Sequence, residues 1–223
     1  MTAVKQRLGP LFELAYAGLM TNVLLTLACA PLVALLMTTD PARSWPLLAA
    51  LTPLAGPALC GAFAVLAKHA DGTPVRTFGR VWRASARRAV PLVAVAATTV
   101  VVLAVDLRYA WGRQVGALVI PMLVVAMILV SATTLLALVV LAERPAVRLR
   151  DACRVSLYLA VRHWYLTLFS LAVLGLLEAL LSTRPAIALG LAAAPLLYVV
   201  WAGSRFSLNA AMPPASAASE GAA

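Results

Sequence analysis

Charge is what this sequence has least of. Only 12% of its residues are charged, and Asp and Glu together number eight in 223. Soluble domains are about half apolar and about a quarter charged. A chain with 63% hydrophobic residues and a mean hydropathy of +0.96 falls outside that class. Histidine is nearly missing too: His69 and His163 are the only two, both in polar stretches, so no pair inside an apolar run can ligate haem. His69 with Asp71 makes at best an exposed pair. The three cysteines, Cys29, Cys60 and Cys153, form neither a CxxC nor a metal-ligand spacing and read as small core residues. No GxGxxG follows a strand pattern, no GxxxxGKS/T occurs, and no Ser, His and acid combine into a triad. The chain therefore reads as non-enzymatic, with no cofactor and no metal.

Long apolar runs fill the space. A hydrocarbon core of about 30 Å takes about 20 helical residues. Six runs approach that length, at 15–37, 45–66, 90–105, 116–141, 164–181 and 185–202. They predict an all-α polytopic integral membrane protein, one domain over residues 1–208, with a disordered small-residue tail at 209–223. A cleaved signal peptide competes for the first run, but that run exceeds a typical h-region and the chain keeps spanning after it. Leu27-Ala28-Cys29 offers a weak lipoprotein cleavage box, with Thr26 standing where Leu is usual. The second run carries Pro46, Pro53 and Pro57, with Gly56 and Gly61 around Cys60, so its backbone ladder must be interrupted. Such a break lines a substrate path in many transporters, or it marks a kinked packing helix. The short third run opens on Pro91 as a first-turn proline and needs Arg88 and Arg108 to snorkel, or the bilayer to thin locally.

Between the runs lie two basic segments. Residues 67–90 hold six of the eighteen Lys and Arg. Read as a helix from Pro74 capped by Thr73, this segment places Arg76, Arg80, Arg83 and Arg87 on one side. Val75, Phe78, Trp82, Ser85 and Ala89 fall on the other. The predicted role is a basic amphipathic helix on the membrane surface, arginines toward anionic headgroups, Phe78 and Trp82 in the interfacial layer. Residues 143–164 repeat the device, with Arg148 and Arg154 among five arginines that accompany Val147, Ala152, Val155 and Leu159. The echo reads either as a duplication or as two independent solutions to one interface problem. A net charge of +10 also raises nucleic acid as a partner, but these bases sit in short loops between apolar runs, so that partner is excluded.

The basic residues divide unevenly. Fourteen lie in the head, the two basic segments and the tail; four, Arg43, Arg108, Arg113 and Arg184, lie in the opposite loops. The asymmetry predicts a cell-membrane protein with both termini cytoplasmic. All five tryptophans fall near predicted span ends, where amphipathic rings settle.

Polar groups inside the runs are candidate sites. Asn22, with Thr21 and Thr26, needs an internal partner. Ser131, with Thr133 and Thr134, either bonds its own backbone or reaches a neighbouring helix. Glu178 is an intramembrane carboxylate, yet it sits about a turn from its helix end, within reach of water or Arg184. A small-solute transporter would use Asn22, Ser131 or Glu178 together with the Pro-rich second run.

Gly9-Pro10-Leu11-Phe12, Asn22-Val23-Leu24-Leu25, Pro31-Leu32-Val33 and Gly56-Pro57-Ala58-Leu59 stand in sequence with a Phe78-x3-Trp82-Arg83 helix and Arg87-Arg88. Arg150-Asp151-Ala152-x2-Val155-Ser156 follows later. Together these resemble the YesL family of bacterial multi-pass membrane proteins of undefined function, over most of the chain. Members of that family lie beside genes for carbohydrate uptake and polysaccharide breakdown. The resemblance implies an accessory or interaction role in sugar import, with sugar-transporter subunits as partners. The reductase label some members carry finds no flavin or nicotinamide site in these residues.

Overall fold

The computed structural model describes residues 16–67, 73–113, 116–144, 147–162, 164–183, 188 and 192–211. All regular structure among them is helical. Glu13, His69, Asp71, His163, Arg184, Pro185 and the tail from 212 lie outside the described residues.

The first run is not one straight span. Helix α1, Tyr16–Ala28, and helix α2, Ala30–Thr38, meet at an angle of 76°. Cys29 between them has φ −100° and ψ 16°, and Pro31 stands at the start of α2. Proline has no N–H for the carbonyl four residues back and its ring crowds that carbonyl, so the run turns there.

Helix α3, Pro41–Leu51, leads through a 3-10 turn at Thr52–Leu54 into α4, Ala55–Ala67. The interruption read from the prolines falls at Pro53, and the turn bridges it without ending the run, which continues from Arg43 to Ala67. Helix α4 is the centre of the molecule. Every residue from Gly56 to Leu66 except Leu59 is buried, against α5, α6 and the last helix.

The largest departure from the sequence reading is α5. Residues Pro74–Ala110 form one helix of 37 residues, about 55 Å long. Pro91 lies inside it and opens no separate span. A proline costs one backbone bond, whereas ending the helix at an apolar boundary would leave several groups unpaired, so continuation wins. The basic segment is thus coaxial with the apolar run that follows. Thr73 has the extended backbone of a cap and starts the helix through its carbonyl, which accepts from Thr77 N–H at 3.2 Å; its side chain makes no capping bond. At the far end, Gly112 with φ +81° turns the chain back.

Helix α6, Gly116–Glu143, returns antiparallel along α5. Its second half is buried from Leu135 to Leu141, while Leu118, Met122 and Val125 in its first half stand exposed. Helix α7, Leu149–Arg162, packs Ala152, Ser156, Leu159 and Ala160 inward. Helix α8, Trp164–Thr183, and helix α9, Ala193–Ala211, pack together. Helix α9 runs on to Ala211, so positions 209–211 of the expected tail are helical.

Among the described residues three helical runs are long and apolar enough to cross a membrane: Arg43–Ala67, Pro74–Ala110 and Gly116–Glu143. The bent α1–α2 pair makes a fourth if counted as one span. The apolar part of α8, Leu168–Leu181, is shorter, and the first half of the sixth predicted run lies largely outside the described residues.

Candidate functional site

The basic segment of α5 is sorted by contact with α4. Arg76, Arg80, Arg83 and Arg87 are all exposed, and Thr77, Phe78, Ser85 and Ala89 are buried. Small residues on α4 allow the approach. A Cβ on Gly61 would stand 2.8 Å from Phe78 Cδ2, and one on Gly56 would stand 2.8 Å from Val93 Cγ2 and 3.0 Å from the Ala89 carbonyl oxygen. Phe78 is therefore a core residue, 5% exposed, and not the interfacial anchor expected from its spacing. The physical reason is Gly61, which leaves a ring-sized recess that lipid does not need to fill. Trp82 is half-buried against the same core.

Where α4 and α6 end beside the first turns of α5, a cavity of about 550 Å³ opens. Arg80 and Arg88 of α5, Glu143 of α6 and Arg205 of α9 supply its charge. Thr77 and Ser85 add hydroxyls, while Val81, Leu141 and alanines of α4 and α6 form the apolar part. Glu143 is held from α9: Trp201 Nε1–H donates to Glu143 Oε1 at 3.0 Å, and Arg205 Nε lies 4.0 Å from the same oxygen. The Arg205 guanidinium also sits 5.1 Å from the Trp201 ring centroid, one helical turn back on α9. Arg88 Nη1–H donates to the Val147 carbonyl at 3.4 Å, joining the first basic segment to the start of the second. Among the described residues that line it, three are arginines and one is a carboxylate, so the cavity suits an anion.

The sequence-predicted residues scatter around this site. Arg80 lines it, and Arg76, Arg83 and Arg87 point elsewhere along the exposed stripe. Arg148 and Arg154 are exposed at the start and middle of α7. Asn22 is buried and accepts a bond from the Ala194 backbone N–H at 2.7 Å. Ser131 is half-buried in α6, whose Thr133 and Thr134 bond back to the Leu129 and Val130 carbonyls at 2.7 and 2.8 Å. Glu178 is exposed on α8. Asn22, Ser131 and Glu178 line neither this cavity nor the apolar groove of about 280 Å³ between α5 and α6.

Arg88, Glu143, Trp201 and Arg205 were not legible as a group. One signal was present: Trp201 and Arg205 stand four apart on one helix face, and Glu143 is an acid at the end of a long apolar run. Among the described residues no group of three or more His, Cys, Asp or Glu is placed to hold a metal ion. Compared with protein-family models, curated proteins and solved structures, the chain matches none.

Proposed function

We propose that the chain is a non-enzymatic accessory component of a carbohydrate-uptake system in the cell membrane, related to the YesL family, with six spans and both termini cytoplasmic. The observation that carries the interaction role is the exposed stripe of Arg76, Arg80, Arg83 and Arg87 on a helix that buries Thr77, Phe78, Ser85 and Ala89. Because the stripe is coaxial with the apolar half of α5, Arg76 stands about 17 Å beyond Arg87 along the axis. That reach suits a protein partner at its far end and lipid headgroups at its near end. The transporter reading has less support, because Asn22 is engaged in helix packing and the threonines of α6 are bonded within their own helix.

The test is affinity purification from mild detergent of the intact protein and of a variant with all four arginines changed to Gln. Sugar-permease subunits recovered with the intact protein and lost with the variant support the role. Equal recovery with both would remove the stripe as the docking surface, and a chain washed from membranes by alkaline carbonate would remove the membrane reading itself.

A further inference from the structure

The geometry points to the cavity between α4, α5, α6 and α9 as a binding site for one phosphodiester group of an anionic phospholipid, held by Arg80, Arg88 and Arg205.

The charge balance selects the ligand. Among the described residues that line the cavity, Arg80, Arg88 and Arg205 are opposed by Glu143. The last turns of α4 and α6 also reach the cavity, at Ala64 and Ala67 and at Leu141 to Glu143. Each helix C-terminus brings up to about half a negative charge, which leaves a surplus of roughly one to two positive charges. A singly charged phosphodiester neutralises that surplus; a triphosphate exceeds it several-fold. Guanidinium groups match phosphate oxygens in pairs, and Thr77 lies in the same wall with a further hydroxyl.

The position selects the source. Arg87 and Arg88 end the basic part of α5, and the next charged residue is Asp106. The intervening charge-free stretch is about 25 Å of helix, close to a hydrocarbon core. Arg88 thus marks the boundary where lipid phosphates lie. Val81, Leu141 and Ala142 give the cavity an apolar side for the glycerol end of the acyl chains, which free phosphate would leave empty. This step rests on the membrane reading above.

The experiment uses the full chain purified in a nonionic detergent and titrated with phosphatidylglycerol, phosphatidylcholine or inorganic phosphate, with bound lipid read by native mass spectrometry. One phosphatidylglycerol should be retained per chain and phosphatidylcholine should not. Arg88→Gln and Arg205→Gln should each weaken retention roughly fivefold. Arg43→Gln, which removes a charge far along the chain from the cavity, should leave it unchanged. Ala84→Trp fills the cavity without altering charge and should abolish retention. A second readout covers variants that fold poorly: a cysteine at Ala84→Cys, in a Cys153→Ser background, should be alkylated more slowly with phosphatidylglycerol present. Protection by inorganic phosphate at the same concentration would overturn the lipid assignment in favour of the free ion. Retention that survives Ala84→Trp, or that falls equally with Arg43→Gln, would overturn the cavity altogether. Carbonate extraction run in parallel reports on the membrane reading alone, since a membrane-retained chain without lipid selectivity loses only the cavity proposal.

Discussion

Asn22 Oδ1 accepts a hydrogen bond from the backbone N–H of Ala194 at 2.7 Å, across 172 residues of sequence. Ala194 lies in the first turn of α9, where N–H groups have no carbonyl within their own helix. The next residue, Pro195, has no N–H to satisfy. A side chain from α1 therefore caps α9, and Gly18 one turn earlier on α1 keeps the approach close, with a Cβ there only 3.6 Å from Ala194 Cβ. Asn22, a candidate site residue by its sequence, thus ties α1 to α9.

Asn22→Leu should consequently destabilise the chain by about 1–2 kcal/mol, since it keeps the volume and strands a buried N–H. Thermal unfolding in detergent would show a lowered midpoint, with α1 and α9 first to lose amide protection. An unchanged midpoint would remove Asn22 as a cap.

Two glycines in the same region should respond with opposite signs. Gly61→Ala drives a methyl into the Phe78 ring at 2.8 Å, and overpacking of that kind costs about 1–3 kcal/mol. Gly79→Ala meets nothing within 4 Å in an ordinary helical backbone and should gain about 0.4–1 kcal/mol. Phe78→Leu should rescue Gly61→Ala in a double-mutant cycle, because the two share one contact. Additive losses would mean that the α4–α5 approach is set elsewhere.

The sequence made some of this legible and concealed the rest for physical reasons. Proline interrupts a backbone ladder wherever it stands, so the break at Pro53 could be read without knowing any neighbour. The threonines of α6 bond locally, and local bonds follow from chain position alone. Phe78 was misplaced because an aromatic on the apolar face of a basic helix looks the same whether lipid or another helix covers it. Only Gly61, on α4, decides that, and periodicity says nothing about which helix lies opposite. Pro91 was misread for a related reason: a proline just inside an apolar run fits a helix start as well as a helix interior, and the tertiary cost of a break chose the interior. The Glu143, Trp201 and Arg205 cluster joins two helices far apart in sequence. Nothing short-range announces it.

Cys153 offers a solution test of α7. Burial holds its thiol above the ordinary cysteine range, because desolvation penalises the thiolate. Alkylation proceeds through the thiolate, so the folded protein should react more slowly at mildly alkaline pH than the urea-unfolded chain. Its rate should also keep climbing at pH values where the unfolded chain has reached its plateau. Matching pH profiles would place α7 away from the core, contrary to the burial of Ala152, Ser156 and Leu159 beside it.

The orientation of α5 can be decided with two engineered thiols. Ala84 and Trp111 are both exposed and 27 positions apart, nearly all of that interval within one helix that ends at Ala110. They stand about 40 Å apart along the axis, farther than a hydrocarbon core of about 30 Å. If α5 crosses the membrane, the two positions cannot share a side. Cys29 and Cys60 are buried and can stay, so Cys153→Ser supplies the background. The excess of basic residues beside Ala84 predicts a cytoplasmic position for it. An impermeant maleimide applied to intact cells should label Trp111→Cys and leave Ala84→Cys untouched until the cells are opened. Labelling of Ala84→Cys alone would invert the topology, and labelling of both in intact cells would mean that α5 does not cross at all.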